Sequence, residues 1–333
     1  MVDAEHTVTE ETFDTVYSYW RNPNHNLQWT CIFVTPLWLK VWWQNFGTGK
    51  EPRLLAIWCK DRLMGLAPLM VENNEAHLMG NPDVCDYLDF IVSDGSVPVF
   101  FDTLIRFLKK QDIVRLNLGP IREDSIAYKH FMETARQRKY EVHCQVEDVS
   151  YEMFLPESWD EYLQLLAGKQ RHEVRRKFRR LYESSHVDFH PVENRNAEKN
   201  ALNIFLELFK KNRSDKAAFM TDRMAAYFQS LAEAMEEAHM LRLFLLKLGD
   251  VCAAAVFGVD DGSTLYLYNN SYDDQFSALS VGVLSKALTI KYAIQNRRKR
   301  YDFLKGAESY KHHMGGKPIK LYRCQIDLNR DRA

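Results

Sequence analysis

The sequence predicts an α+β protein made of two similar units in tandem, each a mixed, mostly antiparallel sheet flanked by helices. Three observations carry that expectation. The chain has 333 residues, about twice the ~150 residues of a usual domain, so each half is long enough to bury its own core. Its composition, 46% apolar and 27% charged, is that of a globular protein and not of a disordered or fibrous one. The hydrophobic period also switches between strand-like and helix-like in the same order in both halves. In each, a strand pair is followed by a further strand, a helix, a strand, a helical segment and a closing strand.

The first half opens on a polar helix and an aromatic cluster of Trp29, Phe33, Trp38, Trp42 and Trp43. Apolar runs over 53–60 and 62–71, joined tightly at Asp61, read as paired strands. A short strand near His77 and a strand over 87–92 follow. A helix from about Pro98 to Lys110 comes next. A strand over 113–118, a helix near 124–138 and a strand over 141–147 close the unit. The second half begins with a strand over 150–155 and helices over 159–182, 197–211 and 222–238. Strands over 241–248, 251–259 and 264–270 lead to a helix over 281–295. A strand over 301–304, a short helix over 308–312 and a strand over 320–328 finish the chain. The exposed pair Glu147-Asp148 marks the boundary, giving units over 1–148 and 149–333 with no Pro/Gly/Ser-rich linker between them.

Forty-four Lys and Arg stand against 45 Asp and Glu, so the net charge of −1 gives no overall field that would draw nucleic acid. The halves differ: up to Asp148 there are 15 basic and 21 acidic residues, and beyond it 29 and 24, so an anionic ligand favours the second half. Cys31, Cys59, Cys85, Cys144, Cys252 and Cys324 are dispersed, without a C-x-x-C pair, and are expected to be free thiols in a reducing compartment. The N-terminus is acidic where a signal peptide is basic and then apolar. The longest apolar runs, 63–71 and 251–259, fall short of the ~20 residues of a membrane span. The expected location is the cytoplasm.

Several chemistries find no support. Glycine is scarce, 14 residues in all, and there is no G-x-G-x-x-G. Gly47-Thr48-Gly49-Lys50 resembles a Walker loop only in part: Glu51 stands where the magnesium-binding hydroxyl belongs, and Gln44 replaces the first glycine. His186, His190, His312 and His313 lack the Glu or Cys partners of a zinc site, and no G-x-S-x-G elbow exists.

Three segments have the residues for chemistry. The strand ending Tyr268-Asn-Asn-Ser-Tyr-Asp273 leads to Ser280-Val-Gly-Val-Leu284, where Ser280 is placed to cap a helix and Gly282 leaves first-turn amides unshielded. A helix start of this kind holds phosphate, although a merely capped helix has the same pattern. Next, Asp302, Lys305, Glu308, Tyr310 and Lys311 crowd a strand end at Gly306, either as a salt-bridged turn or as catalytic groups. Finally, Lys169–Arg180 carries seven basic residues and one acid, with Arg171, Arg175 and Arg179 on one helical face and Arg176 and Arg180 beside them. It is a solvated face or an anion site.

Taken in order, Thr35-Pro-Leu-Trp38, Gly65-Leu-Ala-Pro-Leu69, the basic helix, the segment 268–273, Ser280-x-Gly-Val-Leu284 and Asp302-Phe-x-x-Gly-x-Glu-x-Tyr-Lys311 resemble the Fem-like acetyltransferases of the GNAT superfamily, in the group named for cellulose biosynthesis. The resemblance implies two tandem GNAT-like units, the first structural or acceptor-binding and the second holding acetyl-CoA or another acyl-CoA, without a metal. It places the CoA pyrophosphate on the backbone of Ser280, Val281, Gly282, Val283 and Leu284, although Val281 stands where the family often has proline. Tyr310 then protonates the departing thiolate, and Glu308 or Asp302 is the base. Arg171, Arg175, Arg179, Tyr268, Asn270, Tyr272 and Lys311 are the expected substrate contacts. The implied function is acyl transfer to an amine or hydroxyl, with a polysaccharide or cell-envelope precursor as acceptor. Two rivals remain: a Fem-like peptidyltransferase using aminoacyl-tRNA, and a silent double-GNAT scaffold that binds a polyanion.

Overall fold

The computed structural model describes residues 6–192, 195–211 and 219–331; residues 1–5 of the acidic N-terminus lie outside them. In chain order the elements are β1 (His6–Glu10), α1 (Phe13–Arg21), α2 (Pro36–Phe46), β2 (Glu51–Cys59), β3 (Arg62–Glu72), β4 (Glu75–Leu78), β5 (Ile91–Val92), α3 (Val97–Lys110), β6 (Arg115–Arg122), α4 (Met132–Gln137) and β7 (Tyr140–Phe154). They continue as α5 (Trp159–Leu165), α6 (Gly168–Ser184), β8 (Val187–Pro191), α7 (Arg195–Lys211), α8 (Asp222–Glu237), β9 (Leu241–Leu248), β10 (Val251–Asp260) and β11 (Thr264–Tyr272). The last are α9 (Val281–Gln295), β12 (Arg300–Lys305), α10 (Ser309–His313) and β13 (Lys317–Asp331).

Two units result, Met1–Val149 with Ile319–Ala333, and Ser150–Pro318. The closing strand, expected in the second unit, returns to the first. There β13 pairs antiparallel with β6, from Leu321 opposite Arg122 to Asp327 opposite Arg115. A disulfide joins Cys324 to Cys144 of β7, so the expectation of six free thiols is corrected; Cys31, Cys59, Cys85 and Cys252 are in no disulfide.

Each unit repeats one topology. The first runs β1-β2-β3-β4-β6-β13-β7 and the second β7-β12-β11-β10-β9-β8. In each, antiparallel neighbours flank one parallel pair: β4 with β6 over Glu75–His77 and Arg115–Asn117, and β11 with β12 over Thr264–Tyr266 and Arg300–Asp302. Parallel neighbours need a crossover, which α3 supplies in the first unit and α9 in the second.

Several expected elements are redrawn. The strands over 141–147 and 150–155 are one strand, β7, whose last residues pair with β12. The helix over 159–182 breaks where Leu166 and Ala167 turn extended, because the buried Leu166 is drawn into the core just ahead of helix-poor Gly168. Of 87–92 only Ile91–Val92 is strand. The buried carboxylate of Asp89 there accepts the backbone N–H groups of Phe90, Ile126 and Ala127 at 2.9 Å each, which fixes a wide helical turn over Ala127–Phe131 before α4.

The second unit's sheet is covered on both faces, and the pleat decides which residue goes where. Val256, Leu265, Tyr301 and Phe303 pack with Tyr162 of α5 and Ile290 of α9. The next residue along, Phe257, packs instead with Phe205 of α7 and Phe228 of α8. Burial pushes the phenols of Tyr162 and Tyr301 well above their ordinary range. Each is satisfied, Tyr162 by the Met314 carbonyl at 3.1 Å and Tyr301 by the Thr289 hydroxyl at 2.7 Å. Among the described residues, no helix is long and apolar enough to cross a membrane.

Candidate active site

Two bulges in the second unit open its sheet. The ladder between β11 and β12 lasts only three residue pairs and stops at Tyr266 and Asp302, although both strands continue. Between β10 and β11 the register shifts, so that Gly258 opposes Leu267 while Phe257 opposes Asn269. Tyr268 is the extra residue, and the shift reverses the alternation beyond it. Simple alternation groups Tyr268, Asn270 and Tyr272 on one face. The bulge instead separates them: Tyr268 stays on the α8 side, its ring 5.6 Å from those of Phe228 and Phe257 and its hydroxyl 3.5 Å from that of Tyr227. Asn270 and Tyr272 face α9, opposite Val256 and Ala254. Tyr268 is thus removed from the site on which the sequence places it.

The second bulge lies in β12 at Asp302–Leu304. Leu304 takes a left-handed φ of 63°, and the Asp302 carboxylate accepts its N–H at 2.7 Å. Asp302 is buried at 2% exposure and shapes the strand end. Glu308, 59% exposed, is the carboxylate that solvent and an acceptor can reach.

The first turn of α9 lies at the far end of β11. Ser280 has a left-handed φ of 58° and makes no side-chain cap. Its carbonyl accepts the N–H groups of Val283 at 3.0 Å and Leu284 at 2.9 Å. The expected cradle of Ser280 to Leu284 therefore narrows: only the amides of Val281 and Gly282 lack an acceptor among the described residues. The Tyr272 ring lies close against Gly282, where any Cβ would stand 2.6 Å from ring carbon Cδ1. Arg180 of α6 donates from Nη2 to the Ser280 hydroxyl at 3.2 Å, while its buried Nε has no partner. A cation, two free amides and a helix N-terminus converge there, which is an arrangement for phosphate oxygens.

The strand-end motif folds over the same helix. Lys286, buried in α9, donates to the Gly282 carbonyl at 2.6 Å and lies 4.5 Å from the centroid of the Tyr310 ring. Lys311, expected to touch substrate, is instead buried: its ammonium meets the Leu304 carbonyl at 3.1 Å, the Lys305 carbonyl, and Glu308 at 3.1 Å. An ammonium has three donors, so this one is committed to bracing the turn at Gly306. Gly306 is required there, since its φ is 116° and a Cβ would collide with the Glu308 carboxylate.

On α6, Arg176 pairs with Glu173 at 3.0 and 2.8 Å, and this guanidinium holds the carboxyl below its ordinary range. Arg171, Arg175 and Arg179 make no ion pair among the described residues, and the last two are exposed. Sequence reasoning named Arg180 only as a neighbour of that face and missed Lys286. A lysine amid the apolar residues of α9 was the available signal for the latter.

Residues 168–312, all within the second unit, match the family described as an acetyltransferase (GNAT) domain. No curated protein matches the chain. Among solved structures, the chain is similar to FemX at 12% identity and a TM-score of 0.67, over 96% of each chain. A conserved protein of unknown function from Bacteroides thetaiotaomicron aligns at 12% identity and a TM-score of 0.58, over 96% of this chain and 99% of that one. L-PGS from Bacillus licheniformis aligns at 9% and 0.53, over 88% and 91%. At such identities the likeness is one of fold.

Proposed function

We propose that the second unit moves an acetyl or other acyl group from an acyl-coenzyme A thioester to an amine or hydroxyl acceptor. The observation that carries this is the first turn of α9. Two amides without acceptors and the Arg180 guanidinium meet there, at the end of a strand that has parted from its neighbour. Val281 and Gly282 bind the pyrophosphate of the donor, and Arg180 adds charge. A thioester is already activated, so the protein's part is to orient it and to move protons. Glu308, directly or through water, takes the acceptor's proton as the acceptor attacks the acyl carbon. Tyr310 gives its phenolic proton to the sulfur that leaves. No covalent enzyme intermediate is needed. The first unit has a structural or acceptor-binding role, and the resemblance to the cellulose-biosynthesis group makes a saccharide amine or hydroxyl the first acceptor to try.

Equilibrium binding tests the proposal. CoA and acetyl-CoA should each bind at one site per chain, and bulk tRNA should not compete. The bare face of Arg171, Arg175 and Arg179 favours the rival donor, aminoacyl-tRNA; tight tRNA binding with no CoA binding would establish that reading in place of ours.

A further inference from the structure

Helix α9 is buried along most of its length, and its one buried charge is Lys286, 6% exposed. An ammonium taken out of water is retained only where its surroundings replace the lost hydration. Here the protein supplies such surroundings. The Gly282 carbonyl accepts from Nζ at 2.6 Å, and the face of the Tyr310 ring lies 4.5 Å from it. Gly282 belongs to the turn that presents the free amides, and Tyr310 sits on α10, reached through β12. A cation held between a carbonyl and an aromatic face ties these two elements together, and a desolvated cation–π contact is among the stronger ways to orient a ring.

We infer that Lys286 is a positioning residue: it clamps the Tyr310 ring to the first turn of α9, so that occupation of the donor site and the placing of the phenol are coupled. This rests on the acyltransferase proposal. The clamp needs charge as well as volume. Methionine fills the same space without charge, and arginine keeps the cation.

The test compares Lys286→Met and Lys286→Arg, each alone and with Tyr310→Phe, in single-turnover thiol release from acetyl-CoA. Lys286→Met should slow turnover by about tenfold or more while leaving the CoA dissociation constant within about twofold. In the Tyr310→Phe background it should change turnover by less than about twofold, because the group it positions is gone. Lys286→Arg should restore the rate to within about threefold. Equal slowing in both backgrounds, or no slowing in either, overturns the inference.

A second readout needs no turnover. With 3-fluorotyrosine at position 310, CoA should shift the fluorine resonance in the otherwise unchanged protein and in Lys286→Arg, and by less than about half as much in Lys286→Met. Equal shifts in all three overturn the clamp. A wild-type protein that fails to bind CoA defeats the parent proposal and the clamp with it. CoA binding that leaves the fluorine signal unmoved defeats the clamp alone.

Discussion

Replacing Gly282 separates the role of its amide from that of its missing side chain. A Cβ at this position stands 2.6 Å from Cδ1 and 2.8 Å from Cε1 of Tyr272, whereas carbon atoms rest at ~3.5–4.0 Å. The ring must therefore retreat by about 1 Å, and it can, because Tyr272 is the half-buried last residue of β11. Overpacking of this size costs about 1–3 kcal/mol. In Gly282→Ala, about 1 kcal/mol of helix propensity offsets part of that, so the melting temperature should fall by only a few degrees. Gly282→Pro introduces the same Cβ and also deletes the N–H. A hydrogen bond to a charged group contributes about 1.5–3 kcal/mol, so Gly282→Pro should bind CoA at least about tenfold more weakly than Gly282→Ala. Calorimetry with CoA on both variants, each shown to be folded by its own melting transition, gives the comparison. Equal affinities in the alanine and proline variants would refute the assignment of this amide to the pyrophosphate.

Tyr310→Phe keeps the ring over Lys286 and deletes the hydroxyl; turnover should fall by about 10²- to 10⁴-fold with acyl-CoA affinity nearly unchanged, and a rate within about threefold of wild type would remove Tyr310 from the mechanism. Arg180→Gln should weaken CoA binding by about tenfold and flatten its dependence on salt, since a charge on the phosphate is lost; an unchanged salt slope would return Arg180 to a structural contact with Ser280. In the first unit, burial raises the Asp89 carboxyl from 3.8 to about 6 against the lowering effect of its three backbone N–H donors. Native Asp89 keeps its proton after the unfolded chain has lost it, so its contribution to stability falls as pH rises from about 4 to about 6, by roughly 3 kcal/mol. The stability of wild type relative to Asp89→Asn should fall across that window by denaturant titration; a constant difference would show the group to be unshifted.

The sequence is most legible where one period holds without interruption. The run 281–295 is apolar enough to mark a buried helix, and 53–60 and 62–71 are apolar runs joined by a tight turn, so both match the structure closely. It is least legible where one residue changes the count. An alternation rule carried through β11 keeps Asn270 and Tyr272 on one face with Tyr268, because nothing in Tyr-Leu-Tyr-Asn-Asn announces the bulge at Phe257–Gly258. The return of β13 to the first unit is a long-range pairing, visible only once β6 and Cys144 are in place. Of the site, the helix start at Ser280 and the strand end at Gly306 were readable from local composition. Which amides stay free was not, since Ser280 satisfies two of them through its own carbonyl. The role of Lys311 was likewise hidden, because its acceptors are backbone carbonyls that no side-chain pattern encodes.

Shared topology alone does not say which unit takes the donor, because both have a parallel strand pair linked by a crossover helix. The difference lies at the second residue of that helix. In α9 it is Gly282, whose amide is free. In α3 it is Pro98, which has no N–H to give. Upstream of Pro98, the Ser93 and Ser96 hydroxyls bond each other at 2.8 Å, and Arg62 spends a donor on the Asp94 carbonyl at 3.2 Å. Beneath them Phe100 packs so tightly that a Cβ at Gly65 would lie 2.8 Å from its ring. Function on a duplicated fold resides in such local differences. If one CoA binds per chain, Pro98→Gly should restore an amide to α3 without creating a second binding event. One amide does not replace a guanidinium and a parted strand pair, and a second CoA bound to that variant would show that the amide count alone decides.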